Sequence, residues 1–104
     1  MHVLIPAYEP TGSLTRLVAR LRDADPTLRV LVVDDGSGPQ YAEVFDRAAA
    51  AGAAIIRHPQ NRGKGAALRS GIAWIRARAP LDAVVTADAD GQHTPQDILA
   101  VAAR

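Results

Sequence analysis

Four short, continuously apolar runs, Val3 to Ile5, Val30 to Val33, Ala54 to Ile56 and Ala83 to Ala87, are separated by segments of helical period. A strand with one wet face would alternate apolar and polar residues, so continuous Val- and Ile-rich runs suit strands covered on both faces. Interleaved with helices, they read as β-α-β-α-β-α-β-α, the pattern of a parallel sheet with crossover helices. The expected fold is therefore α/β, a Rossmann-like three-layer sandwich with a mainly parallel sheet. With 104 residues, 48% hydrophobic and 22% charged, the chain fits one globular domain over residues 1–104.

The first helical segment carries Leu14, Leu17, Val18 and Leu21 on one stripe, and Asp25-Pro26 closes the segment after it. The second carries Tyr41, Val44, Phe45 and Ala48 at the same spacing, with Gly52 as its stop. The third, from about Lys64 to Arg78, places Leu68, Ile72 and Ile75 on one stripe with Ala67, Gly71 and Trp74 beside it, which predicts a broad buried face with Trp74 in the core. A fourth begins at Thr94-Pro95-Gln96-Asp97, where Thr94 can cap, Pro95 suits the first helical position and Asp97 can bond back.

A formal charge of +1 is too close to balance to predict a nucleic-acid or lipid-headgroup partner. With no cysteine there is neither a disulfide framework nor a thiolate zinc site, and a cytoplasmic location is the expectation. Met1-His2-Val3-Leu4-Ile5-Pro6 enters structure at once, which predicts neither a signal peptide nor a membrane span.

In an open parallel sheet, ligands bind outside the carboxyl ends of the strands. Polar loops follow the first, second and fourth strands, Pro6-Ala7-Tyr8-Glu9, Asp34-Asp35-Gly36-Ser37 and Asp88-Ala89-Asp90-Gly91-Gln92-His93, and a basic, glycine-rich one follows the third. Side chains two apart in an extended segment point the same way, so Asp88 and Asp90 can share one cation or divide a nucleotide and its metal between them. Asp34-Asp35 fits a turn-capping pair, yet a carboxylate at this edge also suits a nucleobase imino group or a ribose hydroxyl, and Asp35 is the better placed. Asn61-Arg62-Gly63-Lys64-Gly65 opens the third helix. It reads either as a tight loop with solvated cations or as backbone N–H groups and an ammonium facing a diphosphate. Tyr8 suits a wedge between sheet and helix as well as it suits stacking on a base.

Three nucleotide or phosphate patterns fail. A P-loop needs Ser or Thr after its Lys, where Gly65 stands, and an upstream Gly, where His58 stands. A dinucleotide fingerprint needs three glycines after the first strand, where only Gly12 is found. Haloacid-dehalogenase-type phosphatases also open on Asp-x-Asp-Gly, but continue with Thr or Val where this chain has Gln92. His2, His58 and His93 lack zinc-binding spacing, and His93 fits a solvated loop. A hard cation with oxygen ligands, Mg²⁺ or Mn²⁺, suits Asp90 with the Gln92 amide oxygen.

Taken together, Ile5-Pro6-Ala7-Tyr8, Val32-Val33-Asp34-Asp35-Gly36-Ser37, Asn61-Arg62-Gly63-Lys64-Gly65-Ala66-Ala67 and Asp88-Ala89-Asp90-Gly91-Gln92-His93, with Pro95 and Asp97-Ile98, resemble the nucleotide-binding half of an inverting family 2 glycosyltransferase of the GT-A fold, in the dolichol-phosphate mannose synthase-like branch. The resemblance covers essentially the whole chain. It implies that Pro6, Ala7, Tyr8 and Glu9 line the nucleobase pocket and that Asp35 accepts from the base. It implies further that Lys64 faces the diphosphate, that Asp88 and Ala89 contact the nucleoside, and that Asp90 with Gln92 holds Mg²⁺ or Mn²⁺. Asp90 then acts catalytically through that metal.

The implied donor is a UDP- or GDP-linked sugar and the acceptor a polyprenyl phosphate or a glycan, with no nucleic acid involved. The general base is expected beyond residue 104, so residues 1–104 read as a partial domain that binds donor. The alternative is a nucleotide-binding or assembly module without catalysis, forming a homodimer through surface that the missing half would cover. One departure stands out: where the family usually reads Pro-Ala-Tyr-Asn-Glu, this chain has Glu9 for Asn and Pro10 for Glu.

Overall fold

The computed structural model describes residues 1–89, so Asp90, Gln92, His93 and the helix expected from Thr94 lie outside the described residues. Four strands, β1 (His2–Ala7), β2 (Arg29–Asp35), β3 (Ala54–His58) and β4 (Val84–Thr86), alternate with three helices, α1 (Ser13–Ala24), α2 (Ala42–Ala50) and α3 (Lys64–Arg78). All pairings are parallel and the order is β3-β2-β1-β4. The chain steps outward from β1 through β2 to β3, then α3 carries it back across the sheet to the other side of β1. Right-handed crossovers put helices on opposite faces when the direction of travel reverses. Accordingly α1 and α2 pack on one face and α3 on the other.

The two faces are separated by strand parity. Val3, Ile5 and Ala7 of β1, with Val30 and Val32 of β2, meet Leu14, Leu17, Val18 and Leu21 of α1 and Phe45 and Ala48 of α2. Leu4, Leu31 and Val33 point the other way, onto Ala67 and Ile75 of α3. Tyr41 belongs to a 3₁₀ turn, Pro39–Tyr41, ahead of α2 and is half-buried against the first cluster. Gly52, at φ 118°, follows the end of α2 as the sequence suggests.

The broad apolar face expected of α3 is corrected. Its buried line is Ala67, Gly71 and Ile75, whereas Ile72 is 40% exposed and Leu68 and Trp74 are only partly buried. Small residues face the sheet because the helix approaches it closely: a Cβ at Gly71 would land on Leu4 Cδ1. Trp74 sits at the margin of the core, with the Arg78 guanidinium stacked 3.8 Å above its ring. Among the described residues no helix is long and apolar enough to cross a membrane.

Pro6 explains where the sheet opens. His2 donates to Ala83 and Leu4 accepts from Ala87, so even-numbered residues of β1 bond toward β4. Pro6 is next in that series and has no N–H to continue the ladder. Pairing with β2 nonetheless runs on to Ala7↔Asp34. Beyond Leu4 the strands β1 and β4 therefore part at their carboxyl ends.

Candidate functional site

The parting of β1 and β4 forms one wall of a cavity of about 530 Å³, large enough for a nucleotide-sized ligand. Pro6, Ala7 and Tyr8 line it from β1, Asp88 and Ala89 from the end of β4, and Gly63, Lys64 and Ala67 from the start of α3. Asp35 and Asn61 form its floor beside β2. The first turn of α3 contains no acidic residue of its own; the carboxylate at its N-terminus is Asp35, which accepts from the N-cap Gly63 N–H and meets part of the helix's positive end. Lys64 Nζ lies 3.1 Å from Asp88 Oδ1. Both groups are well exposed, so this pair holds the lysine weakly and a ligand phosphate can displace the carboxylate.

Asp35 ends β2 and is only 3% exposed. Its Oδ1 accepts from His58 Nδ1 at 2.8 Å and from the Arg62 backbone N–H at 2.9 Å. Its Oδ2 accepts from the Gly63 N–H at 2.9 Å and from Asn61 Nδ2 at 3.2 Å. Those four donors match the roughly four acceptor positions of a carboxylate. Where the resemblance has Asp35 meeting the base, its lone pairs are taken by His58 of β3 and by the β3–α3 loop. Gly36, at φ 73°, permits the contact, since a Cβ there would overlap the backbone of Gln60 and Asn61. Asp34, whose role the sequence leaves open, turns away and accepts from the Ser37 N–H at 2.9 Å, as a turn-capping residue does.

Burial pushes the Asp35 carboxyl up, but hydrogen bonds from His58, Arg62 and Gly63 outweigh it and leave the group below its ordinary value. Asp82 is also lowered, first by its hydrogen bond to the N-terminal amine and then by His2. Groups depressed in the folded state stabilise it above their unfolded pKa, and that contribution is lost as pH falls through the folded value. Thermal melts are expected to show no loss from these carboxylates between pH 7 and 5, then a fall in melting temperature below about pH 4. A melting temperature unchanged down to pH 3 would contradict this.

Tyr8 stands at the mouth, 53% exposed, with its ring free to cover a planar ligand. The Glu9 carboxylate raises the Tyr8 pKa, by hydrogen bonding first and charge second. Glu9 itself is not brought into the cavity: its N–H donates to Ser37 Oγ and its carboxylate accepts from the Tyr41 hydroxyl at 3.3 Å. It also has a left-handed φ of 49°, a conformation that Asn adopts at lower cost than Glu. Glu9→Asn is expected to stabilise the fold by about 1 kcal/mol, relief of backbone strain outweighing a long, exposed hydrogen bond. Urea titration reads the sign.

Of the residues expected to bind nucleotide, the structure thus gathers Pro6, Ala7, Tyr8, Asp35, Lys64, Asp88 and Ala89 around one cavity, and Glu9 does not line it. Asn61, Gly63 and Ala67 join them, and only the first two were flagged by their loop. The expected metal ligands Asp90 and Gln92 fall outside the described residues, among which no three His, Cys, Asp or Glu side chains converge on a metal position. By residue chemistry alone, the carboxylate of Asp90 and the amide oxygen of Gln92 are donors that a hard divalent ion accepts.

The four-stranded parallel sheet and the placement of this cavity define a GT-A layer, and solved structures agree. A mannosyltransferase of Pyrobaculum calidifontis, solved in complex with GDP-Man and Mn²⁺, superposes with a TM-score of 0.67 at 22% identity, over 86% of this chain and 27% of that one. The chain belongs to glycosyl transferase family 2, whose family model matches residues 2–104. It is 33% identical to the polyprenol monophosphomannose synthase of Mycolicibacterium smegmatis, over 92% of this chain and 37% of that protein. It is 36% identical to the undecaprenyl-phosphate mannosyltransferase of Micrococcus luteus, over 91% of this chain and 40% of that protein. The chain therefore spans 40% or less of the length of these two relatives.

Proposed function

We propose that the cavity binds the nucleoside diphosphate of a sugar donor, and that the protein serves inverting transfer of that sugar to a polyprenyl phosphate. The cavity carries this reading: an apolar and aromatic wall, Pro6, Ala7 and Tyr8, shares one nucleotide-sized space with Lys64 and the N-terminus of α3. The base lies on the wall, the nucleoside against Asp88 and Ala89, and the diphosphate against the α3 N-terminus and Lys64. Asp90 with Gln92 would hold Mg²⁺ or Mn²⁺, which when bound supplies positive charge to the leaving diphosphate. The named substrates of the relatives support the acceptor, and the GDP-Man and Mn²⁺ of the Pyrobaculum enzyme make GDP and Mn²⁺ the first probes.

In the transfer, a bond forms between an acceptor phosphate oxygen and the anomeric carbon as the bond to the donor's β-phosphate breaks, and the electron pair leaves with the diphosphate. A phosphate monoester is ionised near neutral pH, so this nucleophile requires no general base, unlike a sugar hydroxyl. The chain's own contribution is to orient the donor and to place positive charge from α3 and Lys64 where negative charge grows. Asp90→Ala is expected to abolish the metal dependence of GDP binding. Equal stimulation of the variant and the parent by Mn²⁺ would remove Asp90 from the metal site.

A further inference from the structure

Asp35 and His58 are the last residues of neighbouring strands and face each other directly in the register. Their side chains meet at 2.8 Å, and both are buried, His58 to 9% exposure. The other ring nitrogen of His58 lies 2.7 Å from Ser70 Oγ on the second turn of α3. An unbroken chain of side chains therefore runs Ser70–His58–Asp35, and Asp35 clamps the Arg62 and Gly63 amides at the entry to the same helix. With Nδ1–H donated to the carboxylate, neutral His58 presents Nε2 to accept from the serine hydroxyl, so one tautomer serves both contacts.

We infer that His58 is a positioning residue of the donor cavity: tied to Ser70, it aims the Asp35 carboxylate at the Asn61–Gly63 loop and so sets the angle at which the α3 N-terminus meets the diphosphate. This rests on the reading of the cavity as a nucleotide site, and it recasts Asp35 as acting through the loop rather than on the base. The geometry supports it from both ends of the helix entry. Gly63, at φ 96° with open space where a side chain would be, has no side chain to anchor it; its N–H is held by Asp35 while its carbonyl accepts from Ala67, and Ser70 fixes the helix on its second turn. A carboxylate on a rotatable bond, without His58, can turn and release either amide.

His58→Ala, His58→Asn, His58→Gln and Ser70→Ala test this. The Asn amide nitrogen occupies the place of Nδ1 and retains the bond to Asp35. The Gln amide falls near Nε2 and does not. Two quantities are measured at a temperature where circular dichroism shows each protein folded: exchange of the Arg62 and Gly63 amides relative to those of β1 and β2, and GDP affinity with Mn²⁺ by titration calorimetry. His58→Ala and His58→Gln are expected to speed exchange at those two amides and to weaken GDP binding about ten-fold each, the equivalent of one charge-assisted hydrogen bond. His58→Asn should recover both to within about three-fold, and Ser70→Ala should fall between.

A histidine that only stabilises the fold would lower melting temperature yet leave the affinity of the folded variants and the local exchange ratio unchanged, which overturns the inference. So would a loss that His58→Asn fails to rescue. Should the parent protein bind no GDP, the nucleotide reading fails on its own, and the exchange at Arg62 and Gly63 still decides the role of His58. If His58→Ala does not fold, His58→Gln against His58→Asn carries the comparison.

Discussion

Asp35→Ala is expected to lower the unfolding free energy by about 3 kcal/mol, a fall of about 15 °C in melting temperature for a domain of this size. The change removes more than a charge. It leaves His58 Nδ1 and the Arg62 and Gly63 N–H groups without their acceptor at a buried strand end, while the Asn61 amide keeps its contact with the residue 35 carbonyl. Each stranded donor costs roughly 1–3 kcal/mol unless water reaches it. The loop amides can recover water by moving outward, whereas His58 cannot, which keeps the total near the lower end of the sum. Asp35→Asn is no remedy, because its NH₂ group would face donors on one side. A urea titration of both variants checks this, and a loss under 1 kcal/mol for either would show that the loop is held by something else.

Gly71→Val is the second large effect, with an expected cost of about 3 kcal/mol from overpacking. Leu4 is fully buried on the central strand with α3 lying over it, and the added side chain would overlap its Cδ1 and come within 2.9 Å of Cδ2. The smaller Gly71→Ala separates two opposing terms. Helix propensity favours alanine by about 1 kcal/mol, while steric conflict in a packed core costs about 1–3 kcal/mol, so a net loss is expected. Because Ala67 from the same face lines the cavity, a helix pushed off the sheet also widens the site. Chemical denaturation gives the sign for Ala and the size for Val. A stabilised Gly71→Ala would mean that α3 does not approach β1 this closely.

The sheet was legible because each strand is a continuous Val- or Ile-rich run, and the bounds of α3 because Gly63 and the polar residues around it break the pattern. The face of α3 was not, since periodicity weighs large apolar residues. Leu68 and Ile72 drew attention, although close approach requires Ala67 and Gly71 to face the sheet. The gathering of Tyr8, Asp35, Lys64 and Asp88 was readable from a rule about strand ends, which says where loops cluster but not how they bond. The His58 network stayed hidden because it depends on parallel register, Asp35↔His58, which no local motif encodes. A usable signal existed: a polar residue closes β2 and another closes β3, and a buried carboxylate needs a partner. The left-handed turn at Glu9 is likewise invisible to local pattern, being a property of the backbone at the strand end rather than of the residue.

The central claim, that the cavity at the parted ends of β1 and β4 is the nucleotide site, is tested most directly by an amide NMR titration of the folded protein with GDP and, separately, UDP, each with Mg²⁺. Saturable shifts confined to Tyr8, Asn61, Gly63, Lys64, Ala67, Asp88 and Ala89 are the expected result. A folded protein whose spectrum does not change, or whose shifts gather at the opposite ends of the strands around His2, Arg29 and Ala54, would contradict it.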